Sequence, residues 1–132
     1  MQVGRFLRPV VAAALVLGCA HGAFAQRSLA ALRGIETGLW QLKDSEGATR
    51  RVCVTDPARL LQIQHGAAQC SYFVVENTPA KATINYSCPG HGSGRTTLSV
   101  ETRRLIGIET QGVLDGSPFS EEFEGRRVSA CN

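Results

Sequence analysis

The stretch richest in reactive side chains is Tyr86-Ser87-Cys88-Pro89-Gly90-His91-Gly92-Ser93-Gly94. Cys88 and His91 have the C-x-x-H spacing of a metal clip, and the alternating glycines have the look of a loop that cradles phosphate. Zinc needs further thiolate or imidazole ligands beside such a pair, and His65 stands in a different segment. A phosphate loop needs its lysine and the N-terminus of a following helix, and neither is present in the sequence. The stretch therefore reads as a turn that carries half a disulfide, with no metal and no cofactor expected.

Catalytic patterns fare no better. Gly92-Ser93-Gly94 falls one residue short on each side of the G-x-S-x-G nucleophile elbow. On a strand Glu121 and Glu122 point to opposite faces, while Glu122 and Glu124 share one as a charged strand margin. No nucleophile, base and orienting group converge, so the chain is not expected to be an enzyme.

The cysteines depend on how the chain is processed. Arg5 and Arg8 precede the apolar run Pro9–Leu17, and Ala23-Phe24-Ala25 stands before Gln26. This basic, apolar and small-x-small order is that of a secretory signal over residues 1–25, with an apolar run too short to span a bilayer. Val16-Leu17-Gly18-Cys19 resembles a lipobox, but Val and Leu stand where Leu and a small residue belong. That departure favours a soluble periplasmic product over one anchored by lipid at Cys19. Removing 25 of 132 residues leaves 107, enough for one domain. The basic residues fall from 14 to 12 against 11 acidic ones. With no basic stripe left, nucleic acid is not an expected partner, and neither a transmembrane segment nor a second subunit is expected of the mature chain.

Cys53, Cys70, Cys88 and Cys131 remain, an even count that in a small exported domain implies two disulfides. The elements that must position them read as short strands over 37–43, 48–54, 70–77, 81–88, 95–101, 104–111 and 118–130, separated by turn residues. Thr55-Asp56-Pro57 caps a short helix expected over 57–65, and within a lead-in over 26–35 residues 27–33 read either as a marginal helix or as a mobile stretch. The fold class is all-β with one short helix. An antiparallel meander of seven or eight strands over 36–132 curls into a barrel or half-barrel and is stapled by disulfides. If the hairpin turn centres on Pro79, Val74 faces Ile84, Tyr72 faces Tyr86 and Cys70 faces Cys88, all on one side of the sheet. That register favours Cys70–Cys88 with Cys53–Cys131. The sequential pairing, Cys53–Cys70 with Cys88–Cys131, stays open.

Several of these residues fall in a familiar order: Gly38-Leu39-Trp40, then Val52 to Pro57, Cys70, Tyr86 to Gly90, and Gly125 to Cys131. Over 36–131 the chain resembles the small exported bacterial proteins catalogued as a domain of unknown function, number 3617. Many of these end in Gly-x-Cys, where Ser129-Ala130-Cys131 stands here. The resemblance implies an exported β-rich domain with paired cysteines and no known activity. Gly38-x-Trp40 alone is similar to the opening of lipocalin barrels, and the plainer reading is that Trp40 plugs the end of a core. Tyr86-x-Cys88 before a glycine turn resembles small periplasmic barrels that inhibit lysozyme.

Two functions follow as expectations. One is a non-enzymatic envelope module that meets a partner protein through loops 56–69 and 89–94, with Arg59, His65 and His91 as contact residues. The other is a carrier holding a small apolar ligand inside the barrel. The six aromatics from Trp40 onward do not separate them.

Overall fold

Alternation along each strand decides which face of the sheet becomes the core. In Lys81–Cys88 the even residues Ala82, Ile84, Tyr86 and Cys88 are buried, and Thr96, Leu98, Ile106, Ile108 and Thr110 continue the same face on the next two strands. The computed structural model describes residues 28–132; the expected export signal, Cys19 and the start of the lead-in lie outside the described residues.

The strands are β1 (Gly38–Asp44), β2 (Thr49–Val54), β3 (Ser71–Asn77), β4 (Lys81–Cys88), β5 (Gly92–Thr102), β6 (Leu105–Leu114) and β7 (Ser117–Ser129). They form one antiparallel sheet in the order β2-β1-β7-β6-β5-β4-β3. The sheet is open, a half-barrel with β2 and β3 at its margins. The meander runs only from β3 to β7. The β1–β2 hairpin then lies against β7, so the first strand meets the last, and Leu39 stands opposite Ser129.

Residues 55–70 carry the chain from one margin of the sheet to the other. A disulfide holds each end of this crossing: Cys53–Cys131 where it leaves β2, and Cys70–Cys88 where it enters β3. The pairing favoured by the hairpin register is the one formed. Two disulfides mark an oxidising environment.

The helix of the crossing is shorter and tighter than expected, a 3-10 helix over Pro57–Gln62. The Asp56 carboxylate accepts the Ala58 N–H at 3.0 Å. Gln62 then ends the helix by folding its amide onto the carbonyls of Gly66 and Ala68, both at 2.9 Å. Leu60 and Leu61 enter the core fully, worth about 1.5–3 kcal/mol each by burial. They fill the half-barrel together with Trp40 and Leu42, and the indole N–H of Trp40 donates to the Glu36 carbonyl at 3.0 Å.

The described part of the lead-in belongs to the fold. A four-residue helix, α1 (Ala30–Arg33), packs on β4 and β5, with Leu29, Ala31 and Ile35 buried. So short a helix is held by that packing and not by propensity. The Ala30 N–H donates to the Asn77 side chain at 2.8 Å.

The β3–β4 register holds as expected from Ser71 to Val74, with Tyr72 opposite Tyr86 and Val74 opposite Ile84. It then shifts by one residue. The turn bonds join Thr78 to Lys81, so its centre lies between Pro79 and Ala80, and a bulge at Val75 takes up the difference.

Candidate functional site

The Cys88–His91 stretch is a hairpin turn. The His91 N–H donates to the Cys88 carbonyl at 2.8 Å. Pro89 takes the second position, and Gly90, at φ +80°, the third, which is the type II pattern. The expected glycine loop over 89–94 is therefore cut short, because Gly92, Ser93 and Gly94 are already part of β5.

Those glycines serve close approach. Tyr86, Gly94, Gly112 and Phe119 form one inward row across β4, β5, β6 and β7. A Cβ on Gly94 would strike the Tyr86 ring, and one on Gly112 would strike the Ser93 carbonyl. Two missing side chains open a trough between Tyr86 and Phe119. The His65 ring lies there, edge-on to both, with centroids 5.1 Å from Tyr86 and 5.8 Å from Phe119.

His65 is 7% exposed and both its ring nitrogens are engaged. Nε2 lies 3.1 Å from the His91 carbonyl and 3.1 Å from the Val113 carbonyl. Carbonyls only accept, so Nε2 carries the proton and shares it between them. In the neutral ring Nδ1 then accepts from the Tyr86 hydroxyl at 2.9 Å. Burial pushes the Tyr86 phenol above its ordinary range and keeps it a donor. The expectation that His65 offers its ring to a partner is corrected: the ring is buried and spent on internal bonds.

What His65 does instead is join three segments. It belongs to the crossing, and its two acceptors belong to the 88–91 turn and to the end of β6. The β6–β7 turn closes on the same place. Asp115 (φ +49°) and Gly116 (φ +84°) take the two central positions of a tight hairpin turn, and the Asp115 N–H donates to the His91 carbonyl at 3.1 Å. The His91 Nδ1 lies 3.3 Å from the Asp115 carboxylate, with both side chains exposed. Arg59, also exposed, donates to the Gly66 carbonyl at 3.3 Å, next to His65. The two exposed sequence candidates, Arg59 and His91, thus stand on one rim with His65 beneath. The sequence reading missed Asp115, Gly94, Gly112 and Phe119. Glycines inside strand patterns were the available signal for the trough.

Beside this rim a cleft of about 180 Å³ opens between the crossing and β3. Asp56, Arg59, Gln62 and Tyr72 surround it, with Ile84 and Tyr86 at its base. On the opposite face of the sheet Glu122 stands across from Glu109, an unfavourable like-charge pair, and Glu124 pairs with Lys43 and Arg126. Among the described residues no three His, Cys, Asp or Glu side chains are grouped as metal ligands, and no helix is long and apolar enough to cross a membrane. In comparisons with known proteins, no family model, no curated protein and no solved structure matches this chain.

Proposed function

We propose that the protein is a non-enzymatic recognition module of the bacterial envelope, exported to the periplasm, and that it meets a partner protein through the rim bearing Arg59, His91 and Asp115. The observation that carries this reading is the His65 link. One buried ring ties the crossing, the 88–91 turn and the end of β6 together, so the exposed polar groups above it are preordered. Preordering lowers the entropy lost on docking. The cleft beside Arg59 and Tyr72 extends the same surface.

The filled interior favours the rim over a carrier role. Leu60, Leu61, Trp40 and Leu42 are all buried in one apolar core, space that a lipocalin-like ligand would need empty. The resemblance to the exported domain-of-unknown-function family 3617 accords with a small disulfide-stapled envelope domain. The test is in-cell crosslinking of the exported protein, comparing wild type with Arg59→Ala/His91→Ala. Loss of specific adducts in a variant of unchanged thermal stability supports the rim. Retention of the same adducts at the same yield moves the site elsewhere.

A further inference from the structure

Among the described residues the outer sides of β2, of β3 and of the first half of β7 have no strand beside them, and they differ in how they are protected. β2 carries Arg50 and Arg51, and the first half of β7, beyond the end of β1, carries Glu121 and Glu122. Charges of this kind blunt an open edge. β3 has no charged residue between Cys70 and Glu76, and it exposes Tyr72 (38%), Phe73 (71%) and Val75 (45%).

The backbone groups free on β3 follow from the ladder. Antiparallel pairs alternate between hydrogen-bonded pairs, with Cα atoms about 5.5 Å apart, and non-bonded pairs at about 4.5 Å. Cys70 and Cys88 have a Cα separation of 4.1 Å, so they form a non-bonded pair. Tyr72–Tyr86 and Val74–Ile84 are then non-bonded as well. The same alternation carried across β4 and β5 makes Thr83–Thr97 and Thr96–Thr110 non-bonded pairs, which explains their close hydroxyl contacts of 3.0 and 2.8 Å. The N–H and C=O groups of Tyr72 and Val74 therefore point away from the sheet, with Phe73 between them. The bulge at Val75 ends this free edge on one side and Cys70 bounds it on the other.

We infer that two copies of this chain pair through β3, antiparallel about a two-fold axis at Phe73. In that register Tyr72 of one copy bonds Val74 of the other in both directions, which uses all the free groups of both residues in four main-chain hydrogen bonds. The two Phe73 rings meet as a non-bonded cross-strand pair, the geometry of closest side-chain contact. No like charges face each other over this short span, which is why a second copy fits an edge that charged residues would close. The monomer expected from the sequence gives way to a concentration-dependent dimer. A contact made of four main-chain hydrogen bonds and one aromatic pair is short of the extensive surface, roughly 1,200–2,000 Å², that stable interfaces bury, so the dimer dissociates on dilution.

Sedimentation of the oxidised full domain across a thousandfold range of concentration, together with cysteine trapping, tests this. The dimer fraction rises with concentration, and Phe73→Asp weakens association at least tenfold without changing thermal stability. Phe73→Cys, at an exposed position, yields a dimer linked through the new cysteine when oxidised, while Tyr72→Cys does not. A protein that stays monomeric throughout overturns the proposal, including one whose β3 edge is taken by another protein's strand. Trapping at Tyr72 in preference to Phe73 also overturns it.

Discussion

The Tyr86 hydroxyl and the His65 Nδ1 lie 2.9 Å apart, joining the inward face of β4 to the crossing that closes the half-barrel. With Nε2 donating to two carbonyls, this bond runs from tyrosine to histidine in the neutral ring. His65→Phe keeps the edge-on ring but takes the acceptor from the Tyr86 hydroxyl and the imidazole N–H from the Val113 and His91 carbonyls, of which the His91 carbonyl keeps the Asp115 N–H. The expected loss is about 1–3 kcal/mol, the cost of stranding buried polar groups. Urea unfolding of the two proteins at one pH measures it.

Gly94→Ala attacks the same relationship from the other side. A methyl group there pushes into the Tyr86 ring, and overpacking of this kind costs about 1–3 kcal/mol. Because Tyr86 then loses its place beside His65, the cost combined with His65→Phe falls short of the sum of the two single costs. A double-mutant cycle checks this.

Much of this arrangement was legible in the sequence and some was not. Alternating apolar residues and the Asp-Gly, Pro-Gly and Thr-Pro turns placed all seven strands within a few residues, because period-2 burial and turn chemistry are local. The Tyr72–Tyr86 pairing and Cys70–Cys88 followed from one hairpin, also local. His65 was misread as a contact residue because its partners, Tyr86, His91 and Val113, come from two other hairpins, and their meeting depends on register across four strands. Residues 27–33 stay open in the sequence between a marginal helix and a mobile lead-in, because the four helical residues Ala30–Arg33 carry no periodic signal of their own.

The disulfides make unequal contributions. Cys53–Cys131 closes a separation of 78 residues and Cys70–Cys88 one of 18. Each is expected to be worth about 2–5 kcal/mol, and loop entropy makes the longer one worth roughly 1 kcal/mol more. Paired Cys→Ala variants, Cys53/Cys131 against Cys70/Cys88, followed by denaturant unfolding, give the order.

Acid should loosen the end of the fold near α1. The Glu36 carboxylate takes two hydrogen bonds from Arg104, at 2.8 and 3.1 Å, and lies 3.5 Å from Arg127. The Arg104 bond holds its pKa below the usual carboxylate range. A lowered folded-state pKa means that the contribution is complete above the unfolded value, about 4.3. It is lost as pH falls through the lower folded value. Wild type should therefore lose more stability between pH 5 and 2 than Glu36→Gln does. Equal acid slopes for the two would remove Glu36 as a source of the dependence.

The proposed function rests on one buried ring making three segments behave as one surface, and amide hydrogen exchange reads that directly. In wild type the amides of His91 and Asp115, bonded to the Cys88 and His91 carbonyls, and that of His65, bonded to Gln62, should open together with similar protection. In His65→Ala all three should lose protection jointly, while the amides of Leu98 and Ile108 in the sheet keep theirs relative to global stability. Unchanged protection at His91 and Asp115 in a folded His65→Ala protein would contradict the account, because the rim would then be ordered without the link.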